Sequence, residues 1–103
     1  MEFIETPTFT RMVTELLTDE AYRQLQNSLL ANPELGALIK GGGGIRKLRH
    51  AMQGAGKSAG VRATYYWATQ RHQIYFLVIY PKSKKDNLSD RETGILRDLV
   101  KEL

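Results

Sequence analysis

Two runs rich in β-branched and aromatic residues, Val61 to Ala68 and Gln73 to Tyr80, stand four residues apart. So short and polar a connection, Thr69 to His72, forces the runs to fold back on each other as an antiparallel hairpin. Parallel neighbours would need a crossover of a dozen residues or more. Pro81 closes the second strand, having no amide to give to a ladder. Whatever else this chain does, it must cover a face of that hairpin.

The segments that can cover it are legible from their spacing. Phe9, Met12, Val13, Leu16 and Leu17 recur every three or four residues, which marks one helical face, and Thr8 is the expected N-cap. A second helix is expected over about Asp19 to Ala31. Its apolar side is Ala21, Tyr22, Leu25, Leu29 and Leu30, and Thr18 or Asp19 caps its free amides. Asn32-Pro33 stops it, because a residue before proline avoids helical dihedrals. The two helices should pair as a hairpin. Near the C-terminus Ser89 precedes Glu92 by three residues, a capping box, and Ile95, Leu96, Leu99, Val100 and Leu103 then form an apolar helical face. Glu2 to Glu5 reads as a short strand, and Ile45 to Arg49 alternates as a further one.

Two glycine-rich stretches separate these elements. Gly41 to Gly44 is a loop. It lacks the Lys-Ser/Thr continuation of a phosphate-binding loop. Gly54, Gly56 and Gly60, with Lys57 and Ser58, are expected to form a flexible hairpin connection. The order is strand, two helices, three strands, helix. At 103 residues this is a single domain, 1–103, of α+β class. The N-terminal strand and helical hairpin would pack on a small antiparallel sheet, with a helix last.

Charge is distributed unevenly. No carboxylate occurs between residues 35 and 85, where the chain's own frequency of 11 acidic residues in 103 would place about five. The same stretch holds ten of the 15 basic residues and both histidines, His50 and His72. Such a half-chain suits a polyanion, or a protein partner of opposite charge. Strand alternation sorts its side chains into faces. Val61, Ala63, Tyr65 and Trp67 form the expected core face, with Arg62, Thr64 and Tyr66 opposite. Lys47 and Arg49 share a face, as do Tyr80 and Lys82, with Lys84 and Lys85 just beyond. If the strands are neighbours, Lys47, Arg49, Arg62, Tyr66, Tyr80 and Lys82 converge on one basic, aromatic-lined concavity. Cations hold phosphates and flat rings stack on unpaired bases, so the concavity suits RNA.

The chemistry such a surface supports is narrow. Nucleases that use divalent cations hold them with carboxylates, and the basic half has none, so no metal and no cofactor is expected. Attack of a ribose 2′-hydroxyl on its own 3′-phosphate needs only a base, cations for the charge growing on phosphorus, and an acid for the leaving 5′-oxygen. A lysine crowded by cations has its neutral form favoured, which makes Lys47 the candidate base. Arg62 is suited to bidentate phosphate contact. Lys82, a neighbouring lysine or a tyrosine would supply the leaving-group proton.

Lys47-Leu48-Arg49, the Gly/Lys loop, Gly60-Val61-Arg62-Ala63-Thr64-Tyr65-Tyr66 and Ile79-Tyr80-Pro81-Lys82 resemble toxins of the RelE/ParE superfamily, and within it the HigB-like branch. The similarity follows the order of elements along nearly the whole chain and is strongest from about Gly43 to Leu88. It implies a RelE-like fold and cleavage of mRNA in the ribosomal A site. It implies a catalytic set of Lys47, Arg62, Lys82 and Tyr80. RNA contacts are implied at Arg46, Arg49, His50, Lys57, Tyr66, Lys84 and Lys85. Some relatives carry a tyrosine near the start of the last helix, where this chain has Ser89; Tyr66 or Tyr80 then substitutes. The partners implied are the ribosome with its mRNA and a cognate antitoxin, HigA-like and DNA-binding. An acidic segment of that antitoxin would cover the same basic face.

Two other classes fit the same residues: a related-fold toxin acting on a protein such as gyrase, and a non-catalytic RNA-binding module. The absence of cysteine excludes a disulfide scaffold. No apolar run approaches the roughly 18 residues of a membrane span, and no secretory signal pattern opens the chain. A cytoplasmic location, away from membranes, is the expectation.

Overall fold

The computed structural model describes residues 1–51 and 60–103. A strand β1 (Glu2–Glu5) leads into helices α1 (Pro7–Leu16) and α2 (Asp19–Ala31). Strands β2 (Ala37–Leu38), β3 (Ile45–Ala51), β4 (Gly60–Ala68) and β5 (Gln73–Pro81) follow, and helix α3 (Asp90–Lys101) ends the chain. The five strands form one sheet in the order β1-β5-β4-β3-β2. The α+β architecture is the one expected, with two differences in the sheet. β1 runs parallel to β5, which makes the sheet mixed rather than antiparallel. Their connection through two helices and three strands is more than long enough for a parallel pairing. β2, two residues long, adds an edge strand that no periodicity could announce.

Helix α1 begins two residues earlier than expected. Thr6, not Thr8, is its N-cap: its Oγ1 accepts from the Phe9 amide, and Pro7 takes the first helical position, where a missing amide costs nothing. Thr6 also donates its hydroxyl to the Leu77 carbonyl at 2.6 Å, so one side chain both caps α1 and fixes it to β5. Thr18 caps α2. α1 and α2 cover one face of the sheet. Phe9, Val13, Leu25 and Leu29 meet Val61, Ala63, Tyr65, Ile74, Phe76 and Ile79 there. Phe9 and Phe76 stack with ring centroids 4.6 Å apart. Leu30, Ile95 and Leu99, counted among the apolar helix faces, remain exposed.

The opposite face is not open, as alternation alone suggested. α3 lies across it, and Ile45, Leu77, Leu96 and Val100 make a second core cluster. Thr64 and Arg62 on this face are buried, at 0% and 4% exposure, Arg62 beneath Asp86 in the segment that leads into α3.

An irregularity in β5 reconciles the two cores. Thr64 pairs with Val78 but Tyr65 pairs with Phe76, which leaves Leu77 as an extra residue. Ile74, Phe76 and Ile79 therefore all reach the first cluster, while Leu77 and Val78 both reach the second. The Thr64 hydroxyl donates to the Val78 carbonyl at 3.1 Å and accepts from its amide at 3.2 Å, so the ladder is patched where it slips.

Tyr65 anchors the link between α2 and β2. Fully buried, it donates to the Pro33 carbonyl at 2.7 Å and accepts from the Gly36 amide at 2.9 Å. Only glycine fits at 36, because a Cβ there would lie 2.9 Å from the tyrosine ring. Tyr65→Phe leaves both backbone groups without their partner. It should lower unfolding free energy by about 1–3 kcal/mol, read by denaturant melts; an unchanged midpoint would show that water replaces the phenol.

Candidate nucleic-acid interface

Pairing of β3, β4 and β5 sets the basic side chains in cross-strand rows. Arg49 faces Arg62, which faces Tyr80, and in the next row Lys47 faces Thr64 and Val78. Cross-strand neighbours sit about 5 Å apart, so Lys47, Arg49, Arg62 and Tyr80 are brought together. Beside them a cleft of ≈ 680 Å³ opens between the β2–β3 edge and the segment leading into α3. Lys47, Arg49 and Lys40 supply its cations. Leu35, Leu38, Ile39 and Leu88 supply apolar walls, with Asn87 at one end.

These groups are not equally available. Arg49 is exposed, whereas Arg62 lies underneath, 4% exposed. Its Nε and Nη2 both donate to Asp86 Oδ1, at 3.1 and 2.9 Å. The hydrogen bonds from Arg62, helped by its charge and those of Lys47 and Arg49, hold the Asp86 carboxyl below its ordinary range. Lys47 Nζ donates to Asn87 Oδ1 and, at 3.4 Å, to the Asp86 carbonyl.

Tyr80 is 6% exposed, and its hydroxyl has no partner among the described residues. Burial raises its pKa, so it stays a neutral phenol and a potential donor. It lines a smaller cavity of ≈ 330 Å³ with Lys85, Leu88 and Glu92. Lys85 Nζ sits 5.2 Å from the Tyr80 ring centroid and 2.5 Å from Glu92 Oε2. Lys85 is thus committed to tying the β5–α3 connection to the start of α3.

Glu92 has a second duty there. It accepts from the Ser89 amide at 2.9 Å while Ser89 accepts from the Glu92 amide at 3.1 Å, which is the capping box expected from the sequence. The bond from Lys85, then that from the Ser89 backbone, hold the Glu92 pKa below its ordinary value. A carboxylate so depressed stabilises the fold above its unfolded pKa, near 4.3. That contribution is lost as pH falls through the folded value. Melting temperature should therefore decline below about pH 4.3. Asp86 titrates in the same direction, so a Glu92→Gln curve isolates the Glu92 share: the variant should lose part of the acid slope, and a parallel curve would contradict this.

The remaining expected residues lie elsewhere. Arg46 and His50 sit on the opposite face of β3 from Lys47 and Arg49. Arg46 is spent on the loop after α2, donating to the Gly36 carbonyl at 2.8 Å and the Glu34 carbonyl at 3.2 Å. Tyr66 is four residues along β4 from Arg62, roughly 13 Å away at strand rise, so it does not join the cleft. It packs against the second cluster and lines a separate hollow of ≈ 320 Å³ with Arg71 and Leu103. Lys82 and Lys84 are exposed just past β5. Lys57 falls outside the described residues.

Sequence reasoning missed Asp86, Asn87, Lys40 and the leucines of the cleft. Asp86 did carry a signal, being the first carboxylate after the long basic stretch. Among the described residues, no helix is long and apolar enough to cross a membrane. A family model described as "RelE toxin of RelE / RelB toxin-antitoxin system" matches residues 5–103.

Proposed function

This chain belongs to the RelE toxin family and is the toxin of a toxin–antitoxin system, and from that premise we propose that it is a ribosome-dependent mRNA endoribonuclease of the HigB-like branch. The observation that carries the reading is the cleft of ≈ 680 Å³, where Lys47 and Arg49 stand side by side among apolar walls. Apolar walls shelter a base while the cations hold the phosphate beside it.

The proposed reaction consumes no cofactor. The ribose 2′-oxygen attacks the adjacent phosphorus, a 2′-O–P bond forms and the P–O5′ bond breaks. Lys47 takes the 2′-hydroxyl proton. Arg49, joined by Arg62, holds the charge that grows on the phosphoryl oxygens. Lys82, exposed just past β5, or the Tyr80 phenol in the row of Arg62 returns a proton to the 5′-oxygen. The products are a 2′,3′-cyclic phosphate and a 5′-hydroxyl. Cytoplasmic translating ribosomes would supply the substrate, and a HigA-like, DNA-binding antitoxin would block the cleft.

Induction of the chain in growing cells, with mapping of mRNA 5′ ends, tests this reading. In-frame cuts inside translated codons are expected. A DNA-damage response without cuts would point instead to a protein target such as gyrase. RNA binding without cuts or growth arrest would point to a non-catalytic module. Because the contacts are cationic, RNA affinity and antitoxin affinity should both fall linearly on a log–log plot against salt. Titrations at 50 and 200 mM salt that give equal affinities for either partner would argue against a charge-driven site.

A further inference from the structure

The two cations best placed under the cleft are already occupied by the chain itself. Asp86 takes both the Nε and the Nη2 donors of Arg62 on one oxygen, and the third nitrogen, Nη1, is turned to the Val61 carbonyl at 3.4 Å. Asn87 and the Asp86 carbonyl take Lys47. The arrangement is layered: the Asp86 side chain is 51% exposed and the Arg62 side chain 5%. A strand entering from solvent therefore meets the carboxylate before it meets the guanidinium. A carboxylate and a phosphodiester present the same thing to an arginine, paired anionic oxygens in reach of one fork of N–H donors. They cannot both have it.

We propose that Asp86 and Asn87 are a built-in stand-in for the RNA backbone, and that a message gains Arg62 and Lys47 by displacing them. The proposal rests on the reading of the cleft as an RNA site. The segment is built to yield. Residues 86–88 make no backbone–backbone hydrogen bond to the described residues. They are tied down by the Arg62 and Lys47 side chains and by Leu88 against the second core. On either side the chain is firmly held, by the Lys85–Glu92 pair and by the capping box at Ser89. Displacement thus needs only a short stretch to swing, with α3 left in place. The basic stretch keeps its cations in a compact domain because one carboxylate from outside it neutralises the buried member.

The test is binding of a labelled single-stranded RNA made uncleavable by 2′-O-methylation, followed by anisotropy. Asp86→Asn keeps the size but releases the charge, and should bind about tenfold more tightly, the equivalent of one charge-assisted hydrogen bond no longer competing. Asn87→Ala frees Lys47 with no change in net charge and should bind about threefold more tightly. Asp90→Asn removes an equal charge from an exposed position in the first turn of α3 and should change affinity less than about twofold. Asp86→Asn binding no more tightly than Asp90→Asn, or more weakly than the parent, overturns the proposal. Should Asp86→Asn fail to fold, Asn87→Ala decides alone, and no gain there overturns it. Intact transcripts in the mapping experiment would sink the nuclease reading, whereas an absent affinity gain with cuts still present would sink only this one.

Discussion

Lys47→Ala should slow mRNA cleavage by about 10²- to 10⁴-fold, the range removed with a positioned acid or base, while the fold melts almost unchanged. The side chain is half-buried at the cleft, and its partners Asn87 and Asp86 are exposed, so water replaces it for them. Lys47→Arg divides the possible roles. Arginine keeps the positive charge but cannot give up its proton in a protein. If Lys47 moves a proton, the arginine variant binds message and stays slow. If Lys47 only neutralises phosphate, the arginine variant recovers most of the rate. Single-turnover cleavage on programmed ribosomes reads both, and full activity of the alanine variant would refute a catalytic Lys47.

Phe9→Ala should cost about 3–5 kcal/mol of unfolding free energy. Phe9 is fully buried, stacked on Phe76 and 5.9 Å from the Tyr22 ring, and Phe3 also stacks on Phe76. These rings join β1, α1, α2 and β5, elements from both ends of the chain. Removing the Phe9 ring leaves a cavity that a packed sheet cannot close. For a domain of this size each kcal/mol shifts the melting temperature by about 4–8 °C, so a drop of more than about 12 °C is expected by circular dichroism. A drop under about 5 °C would mean that the helices collapse into the space. Set beside Lys47→Ala, the variant separates toxicity lost through chemistry from toxicity lost through unfolding.

Local signals in the sequence were strong wherever one segment decides its own shape. The β4–β5 hairpin, the periodic faces of α1 and α2 and the Ser89–Glu92 box all depend on neighbours within a few positions. What could not be read were the choices made between distant segments. Alternation put Arg62 and Thr64 on one side of β4, but only the path of α3 and of the segment leading into it made that side an interior. Thr6 became the cap in place of Thr8 because its hydroxyl also reaches Leu77, 71 residues away. The site was legible in part for the same reason. Lys47, Arg49, Arg62 and Tyr80 share a row that strand phase predicts. The resemblance implies RNA contacts at Arg46 and His50 as well, although phase puts them on the other side. Asp86 was invisible as a partner because nothing local links a loop carboxylate to an arginine 24 positions earlier.

The extra residue at Leu77 is what lets β5 serve two interiors at once. Leu77 and Val78 both reach the α3 side, while Phe76 and Ile79 on either side of them reach the helices. Deleting Leu77 would leave Phe76 and Val78 as neighbours opposite Tyr65 and Thr64, a plain alternation with Ile79 and Tyr80 on their present faces. The loss would fall instead on α3, which gives up one apolar anchor, and on α1, whose Thr6 hydroxyl gives up its acceptor. Elsewhere along the strand a one-residue deletion would turn the side chains beyond it to the other face, so this is the point at which a shorter β5 is least disruptive.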